Sequence, residues 1–316
     1  MIVSIKKILK TSIPLIFGAV LVWYSLSKIS INVLIGYFKE ANYEWIFLGL
    51  FFGILSHLSR AYRWKFMLDP LGFKPRFTNS VLAVLVGYLV NLAIPRAGEV
   101  SRAFVLTNYE QIPFEKGFGT IVAERIADLV MMLCIIIITL FVQFDFIYDL
   151  LTKNFDASKI SIGLIILTII CYILYFFVKK ATSGILLKIK TFVIGLVEGV
   201  TSIFRMKNKV AFIFHTIFIW VMYVAMFWAT IPAISGLEVP FGGVLIGFIA
   251  GGFSIAATNG GIGLYPIAVA GALALFDIPS DPATAFGWIM WTAQTAMIII
   301  FGGLAFLFLP IYNKHK

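Results

Sequence analysis

The sequence predicts an all-α, polytopic transmembrane helix bundle in which residues 1–316 form a single integral membrane domain, and three observations predict it. Of its residues 61% are hydrophobic and only 13% are charged, against roughly 25% charged in a soluble domain. Apolar runs close to the roughly 20 residues that cross a bilayer recur along the whole length. The basic residues, which leave a net charge of +10, gather in short clusters between those runs. That is the positive-inside pattern of a membrane protein, not the patch of a nucleic-acid binder. The longest polar gaps, 60–77 and 179–209, are too short to hold a separate soluble core.

In chain order, the N-terminal stretch has the basic flank and apolar core of a signal peptide but no small-residue cleavage site. It therefore reads as an uncleaved first helix, Ser12 to Ser27, with Lys6, Lys7 and Lys10 keeping the N-terminus cytoplasmic. Tyr43 to Ser59 returns to an aromatic-basic collar, Arg60-Ala61-Tyr62-Arg63-Trp64-Lys65. Such a collar is an interfacial anchor or, more sharply, a contact with lipid phosphates. The apolar run Phe77 to Ile94 stops at Pro95-Arg96-Ala97-Gly98 and is followed by Glu99 to Asn108. Proline and glycine end a helix here, so 77–108 is expected to be a re-entrant pair of half-helices. Thr120 to Phe144 then crosses outward and completes a first repeat, 1–150.

The second repeat, 151–316, follows the same order. Ile160 to Val178 crosses inward, Thr182 to Phe204 is a basic amphipathic stretch for the cytoplasmic surface, and Lys209 to Pro232 crosses outward. A second hairpin, 241–277, consists of Phe241 to Ala257 and Leu264 to Phe276, split by Thr258-Asn259-Gly260-Gly261-Ile262-Gly263; Ala283 to Pro310 is the last crossing. Threaded this way, 18 of the 25 basic residues face the cytoplasm and 4 face outward. The protein is thus expected in the plasma (inner) membrane as a multi-pass chain with both termini cytoplasmic. Two halves of opposite orientation, each with a Gly/Pro-interrupted segment at the same place, are the pattern of inverted repeats and point to the binding site of a transporter.

The three remaining basic residues, Arg96, Arg102 and Arg125, lie in the stretch Gly87 to Asp128 together with Asn91, Glu99, Glu124 and Asp128. Ionisable groups at membrane depth cost about 2.5 to 3.5 kcal/mol each on insertion scales, which makes the cluster a candidate site. The arginines can present donor forks to a phosphate. Glu99 with Arg102, and Arg125 with Asp128, are three apart and can equally pair on one helical face. In the second hairpin Asn259, Gly260 and Gly261 can expose backbone N–H groups to an anionic head group, or simply allow close helix packing. His57 and His215 have no second ligand at metal spacing and read as structural; Cys134 and Cys171 read as small buried hydrophobes. No metal and no cofactor is expected.

The ordered set Arg60-Ala-Tyr-Arg-Trp, Asn91, Pro95-Arg96-Ala-Gly98-Glu99, Arg102, Glu124-Arg125, Asp128 and Gly260-Gly261-Ile-Gly263 resembles the transmembrane region of lysylphosphatidylglycerol synthases. That family of flippase-like integral membrane proteins includes the membrane half of the multiple peptide resistance factor. The resemblance implies a lipid-translocating domain of two inverted repeats with re-entrant helices. In such relatives a cytosolic domain makes the aminoacylated lipid; this sequence ends just past its last helix, so no aminoacyl-transferase activity is expected. Where relatives often carry a glutamate after the Gly-Gly-x-Gly break, Pro266 stands here. An arginine often found in the last helix is also missing, with Trp288, Trp291 and Gln294 in its neighbourhood. The second hairpin has thus lost charge, which favours an anionic or glycosylated lipid over a cationic one.

The functional expectation is a flippase or transporter moving an anionic, aminoacylated or glycosylated (poly)prenyl lipid or phospholipid. The partners are then the membrane lipid substrate, with a homo-oligomer or an envelope-synthesis partner left open, and no nucleic acid. The alternatives are a membrane enzyme acting on a lipid-linked phosphate or sugar, with Glu99, Glu124 or Asp128 as acid/base, and a scaffold subunit of an envelope lipid synthase.

Overall fold

The computed structural model describes residues 18–154 and 206–314, with scattered positions between 162 and 194. Every regular element among the described residues is helical, and four helices are long and apolar enough to cross a membrane. The all-α polytopic bundle is therefore what the structure shows. The expected elements Ile160–Val178 and Thr182–Phe204, and Cys171, fall wholly or largely outside the described residues.

The chain packs as two compact units, Met1–Glu124 with Val210–Lys316, and Arg125–Lys209. The first contains α1 (Gly18–Leu26), α2 (Ile31–Glu40), α3 (Tyr43–Leu68), α4 (Phe77–Ala93), α5 (Ala97–Glu110) and the start of α6 (Phe114–Val142). The second takes up the rest of α6 and α7 (Phe144–Asn154). The first unit then resumes with α8 (Lys209–Thr230), α9 (Phe241–Ala257), α10 (Leu264–Ala274) and α11 (Ser280–Tyr312). These units are defined by packing and the repeats 1–150 and 151–316 by element order, so the two divisions differ. Cys134, expected inside, is exposed in the second unit.

Local chemistry explains the boundaries. Asn42 caps α3 by accepting from the Glu44 N–H at 3.0 Å, with Glu44 at the positive helix end. The helix continues past the expected stop at Ser59, through the collar residues, to the Asp69-Pro70-Leu71 turn and left-handed Gly72. A helix missing from the sequence reading, α2, follows α1 after a bend of 84°. Prolines bound four others: Pro113 before α6, Pro232 after α8, Pro240 before α9 and Pro279 before α11.

Lipid tails give helices no hydrophobic reason to associate, so close packing through small residues must hold the bundle. The pair α4/α5 is antiparallel: Asn79 meets Glu110, Gly87 meets Arg102, and Asn91 meets Gly98, each step along α4 matched by an equal step back along α5. At Gly98 a Cβ would lie 2.6 Å from the Asn91 side chain, so only glycine lets the two backbones approach this closely. In the pair α9/α10, Gly251 packs against Tyr265 and Gly247 against Leu273. Each pair has its own apolar core, Leu82, Val86, Ala103 and Leu106 in one, and Val244, Val269 and Leu273 in the other. The long α11 serves both, through Phe286 and Ile289 in the second core and Ala305 and Leu309 in the first.

Polar contacts close the base of α4/α5. Arg76 donates from Nε to Glu110 (3.0 Å) and from Nη2 to Asn313, and Asn79 donates to Glu110. The amides of Asn79 and Asn313 exchange two hydrogen bonds of 3.0 Å, tying the end of α11 to the pair.

Candidate functional site

Two polar constellations emerge, one buried and one at the helix breaks. In the first, Glu124 on α6 is completely buried and receives guanidinium donors from two other helices. Arg102 on α5 binds it bidentately, Nη2 to Oε2 at 3.0 Å and Nη1 to Oε1 at 3.3 Å. Arg60 and Arg63 on α3 both reach Oε1, Arg63 at 3.3 Å. Around them, Arg102 stacks on Trp64 at 4.4 Å, and Trp64 Nε1 donates to Thr120 at 2.8 Å. Arg63 donates to Thr216 at 3.0 Å and Arg60 to the Tyr223 hydroxyl at 3.4 Å.

The collar residues Arg60, Arg63 and Trp64 are 2%, 0% and 0% exposed and are packed inside protein. The physical reason is Glu124: a carboxylate in a water-poor interior requires charge-assisted donors, and α3 supplies them. Three arginines thus converge on Glu124: Arg60, Arg63 and Arg102 at Oε1 and Arg102 again at Oε2.

The second constellation is the junction of the two breaks. Asn259 Nδ2 donates to the Leu92 carbonyl at 2.7 Å, and Trp291 Nε1 donates to the Gly260 carbonyl at 2.8 Å. The last turn of α4 therefore touches the loop between α9 and α10. Asn91 belongs to the same place, where its Oδ1 accepts the Gly98 N–H at 2.7 Å and caps the first turn of α5. Arg96 sits at the tip. Its backbone is left-handed, φ +64°, and its side chain is exposed, with no hydrogen bond or ion pair to any described residue. For a non-glycine residue that conformation costs about 1 to 2 kcal/mol, strain that persists where the side chain or the turn is needed. Gly260, Gly261 and Gly263 all have positive φ, and α10 starts directly after them.

The structure thus divides the predicted residues. Asn91, Arg96, Asn259, Gly260 and Gly261 lie at the junction; Arg102 and Glu124 belong to the buried cluster; Glu99 stands in the first turn of α5. Arg125 and Asp128 fall in the second unit, where they pair with each other at 3.5 Å. Pro266 is buried, with its backbone close against Gly287 of α11. Sequence reasoning missed Arg60 and Arg63 as partners of Glu124, although their three-residue spacing on a helix was a signal.

An all-α chain with four membrane-length helices and two shorter helix pairs meeting at their breaks is a polytopic membrane protein. The family model for the lysylphosphatidylglycerol synthase TM region matches residues 12–302, and the chain belongs to that family. It is 33% identical over 125 residues to the UPF0104 membrane protein MJ1595 of Methanocaldococcus jannaschii, a stretch covering 39% of this chain and 37% of that protein. It is 31% identical over 77 residues to the glycosyltransferase AglD of Haloferax volcanii, covering 24% of this chain and 12% of that protein. The matches thus span well under two thirds of either relative. No solved structure matches the chain.

Proposed function

We propose that this chain is a lipid transporter that carries an anionic, phosphate-bearing lipid across the plasma membrane, with its head group received at the junction of the two broken helix pairs. In this reading both termini are cytoplasmic and the two halves are inverted repeats that rock against each other. The observation that carries the proposal is Arg96, an exposed, strained guanidinium at the tip where α4/α5 meets the Asn259-Gly260-Gly261 loop. Two helices, α5 and α10, begin at that junction, and their N-terminal N–H groups add to the preference for an anion. Membership in a family named for a lipid synthase supports a lipid substrate, and the likeness to a protein named a glycosyltransferase supports a lipid-linked sugar phosphate as one form of it.

The test is a pair of variants reconstituted in vesicles with fluorescent phosphatidylglycerol, whose arrival in the opposite leaflet is read by chemical quenching. Arg96→Ala is expected to slow transfer by about tenfold or more, the effect of losing roughly 1.4 kcal/mol of charge-assisted binding. Arg96→Gly is expected to slow it equally while holding thermal stability or raising it by up to about 1 kcal/mol, because glycine accepts the left-handed backbone. Wild-type rates in Arg96→Gly would overturn the site.

The enzyme reading with Glu124 as acid/base is less well supported, since the arginines already occupy its oxygens. A protein-dependent change in the mass of the supplied lipid would revive it through Glu99 or Asp128.

A further inference from the structure

The loop between α9 and α10 is held from two sides. On one, Asn259 donates to the Leu92 carbonyl at the end of α4, and a Cβ on Gly260 would lie 2.9 Å from Leu92 Cδ2. On the other, Trp291 Nε1 of α11 donates to the Gly260 carbonyl at 2.8 Å. The indole also lies against the next residue, since a Cβ on Gly261 would be 3.5 Å from Trp291 Cδ1. The bond to Gly260 fixes a direction as well as a position. A trans peptide is planar, so its N–H points opposite to its C=O. With the Gly260 carbonyl turned to the Trp291 indole, the Gly261 N–H points away from α11.

That N–H meets no hydrogen-bond acceptor among the described residues, and neither does the N–H of Gly260. Gly261 is nonetheless buried. Buried backbone donors without a partner are rare in folded proteins, and successive N–H groups in a turn form a concavity that suits an anion. Gly260 and Gly261 follow one another in the left-handed region, at φ +66° and +78°, and the loop they form is tied to the last turn of α4, four residues before Arg96.

We propose that Trp291 is a positioning residue of the head-group site: by holding the Gly260 carbonyl, it keeps the Gly261 N–H presented to a phosphate oxygen that Arg96 has drawn to the junction. The inference rests on the lipid-transport reading and adds direction to its charge. A guanidinium on an exposed tip attracts any anion, whereas an N–H locked in one orientation accepts an oxygen in one place. Trp291 itself does not touch the lipid. Trp288, one turn earlier and edge-on to Trp291 with centroids 5.7 Å apart, has no hydrogen bond on its Nε1 among the described residues and provides the control.

The full-length protein is reconstituted in phosphatidylcholine vesicles, and transfer of fluorescent phosphatidylglycerol is followed against its mole fraction, which separates the half-saturating fraction from the maximal rate. Trp291→Phe keeps an aromatic ring and removes the donor. It is expected to raise the half-saturating fraction about fivefold, the effect of one lost hydrogen bond, with the maximal rate within about twofold of wild type. Benzothienylalanine at position 291 has the shape of the indole with sulfur in place of N–H. It is expected to give the same rise, and it carries the test if the phenylalanine variant fails to fold. Trp288→Phe is expected to leave both quantities unchanged. An unchanged half-saturating fraction with benzothienylalanine, or an equal rise in Trp288→Phe, overturns the proposal. Combined with Arg96→Ala, the benzothienylalanine loss is expected to fall short of the product of the two single losses, because both act on one phosphate; a full product overturns the shared site. A Trp291 defect beside wild-type behaviour of Arg96→Ala overturns the Arg96 reading alone, and an Arg96 defect with none at Trp291 overturns the positioning role alone.

Discussion

A carboxylate with three arginines on it is far more sensitive to loss of the carboxylate than to loss of any one arginine. Removing Glu124 leaves guanidiniums crowded at 0 to 3% exposure with no counter-charge at their centre. Glu124→Gln is expected to destabilise the protein by about 3 to 5 kcal/mol, the usual cost of breaking a buried pair from one side. Arg102→Met, which keeps a chain to pack on Trp64 and leaves two arginines, is expected to cost less. Thermal unfolding of the purified variants in one detergent checks the order, and a Glu124→Gln protein as stable as wild type would contradict it. At this scale the sequence was half legible. Charges at membrane depth mark themselves, and Arg96 was visible as the cation beside a helix break. What no local reading shows is the partner. Arg60 and Arg63 sit where a basic collar belongs, and only a carboxylate 64 residues away from Arg60 turns them inward.

The helix pairs were readable because proline and glycine punctuate them. Pro95 and the run Asn259-Gly260-Gly261 fall at breaks between α4 and α5 and between α9 and α10. The helix α2 was not readable: its ten residues are amphipathic and short, and Ile31, Val33 and Ile35 remain exposed, so they blend into the link between two longer apolar runs. The extension of α3 to Leu68 was hidden because its last turns carry the charges of an interface. The second break also carries a demand that spacing does not reveal. At Gly263, φ is +68° and a Cβ would lie 2.5 Å from the backbone nitrogen of Val22 in α1. Gly263→Ala must distort both the turn and the packing of α1, and is expected to cost more than about 2 kcal/mol. Gly271→Ala, in open space on α10, provides the control and is expected to be neutral or slightly stabilising in the same thermal scan.

For the molecule, the sequence gives the class through composition and the spacing of apolar runs, and the family through its ordered motifs. It does not give the tie between the end of α11 and the base of α4/α5, because Asn313 lies 234 residues from Asn79. Asn313→Ala removes both amide bonds and the acceptor for Arg76. Amide hydrogen exchange in the first turns of α4 is expected to quicken by about tenfold, an opening made easier by roughly 1.4 kcal/mol, while α9 and α10 stay as protected as before. The two ends of α4 are held differently. At the base are an arginine, a glutamate and two paired amides; at the far end Asn91 holds the Gly98 N–H of α5 and Asn259 holds the Leu92 carbonyl. A displacement of the far end that breaks the Asn259 bond must therefore carry the first turn of α5 with it, because Asn91 and the close approach at Gly98 join the two helices there.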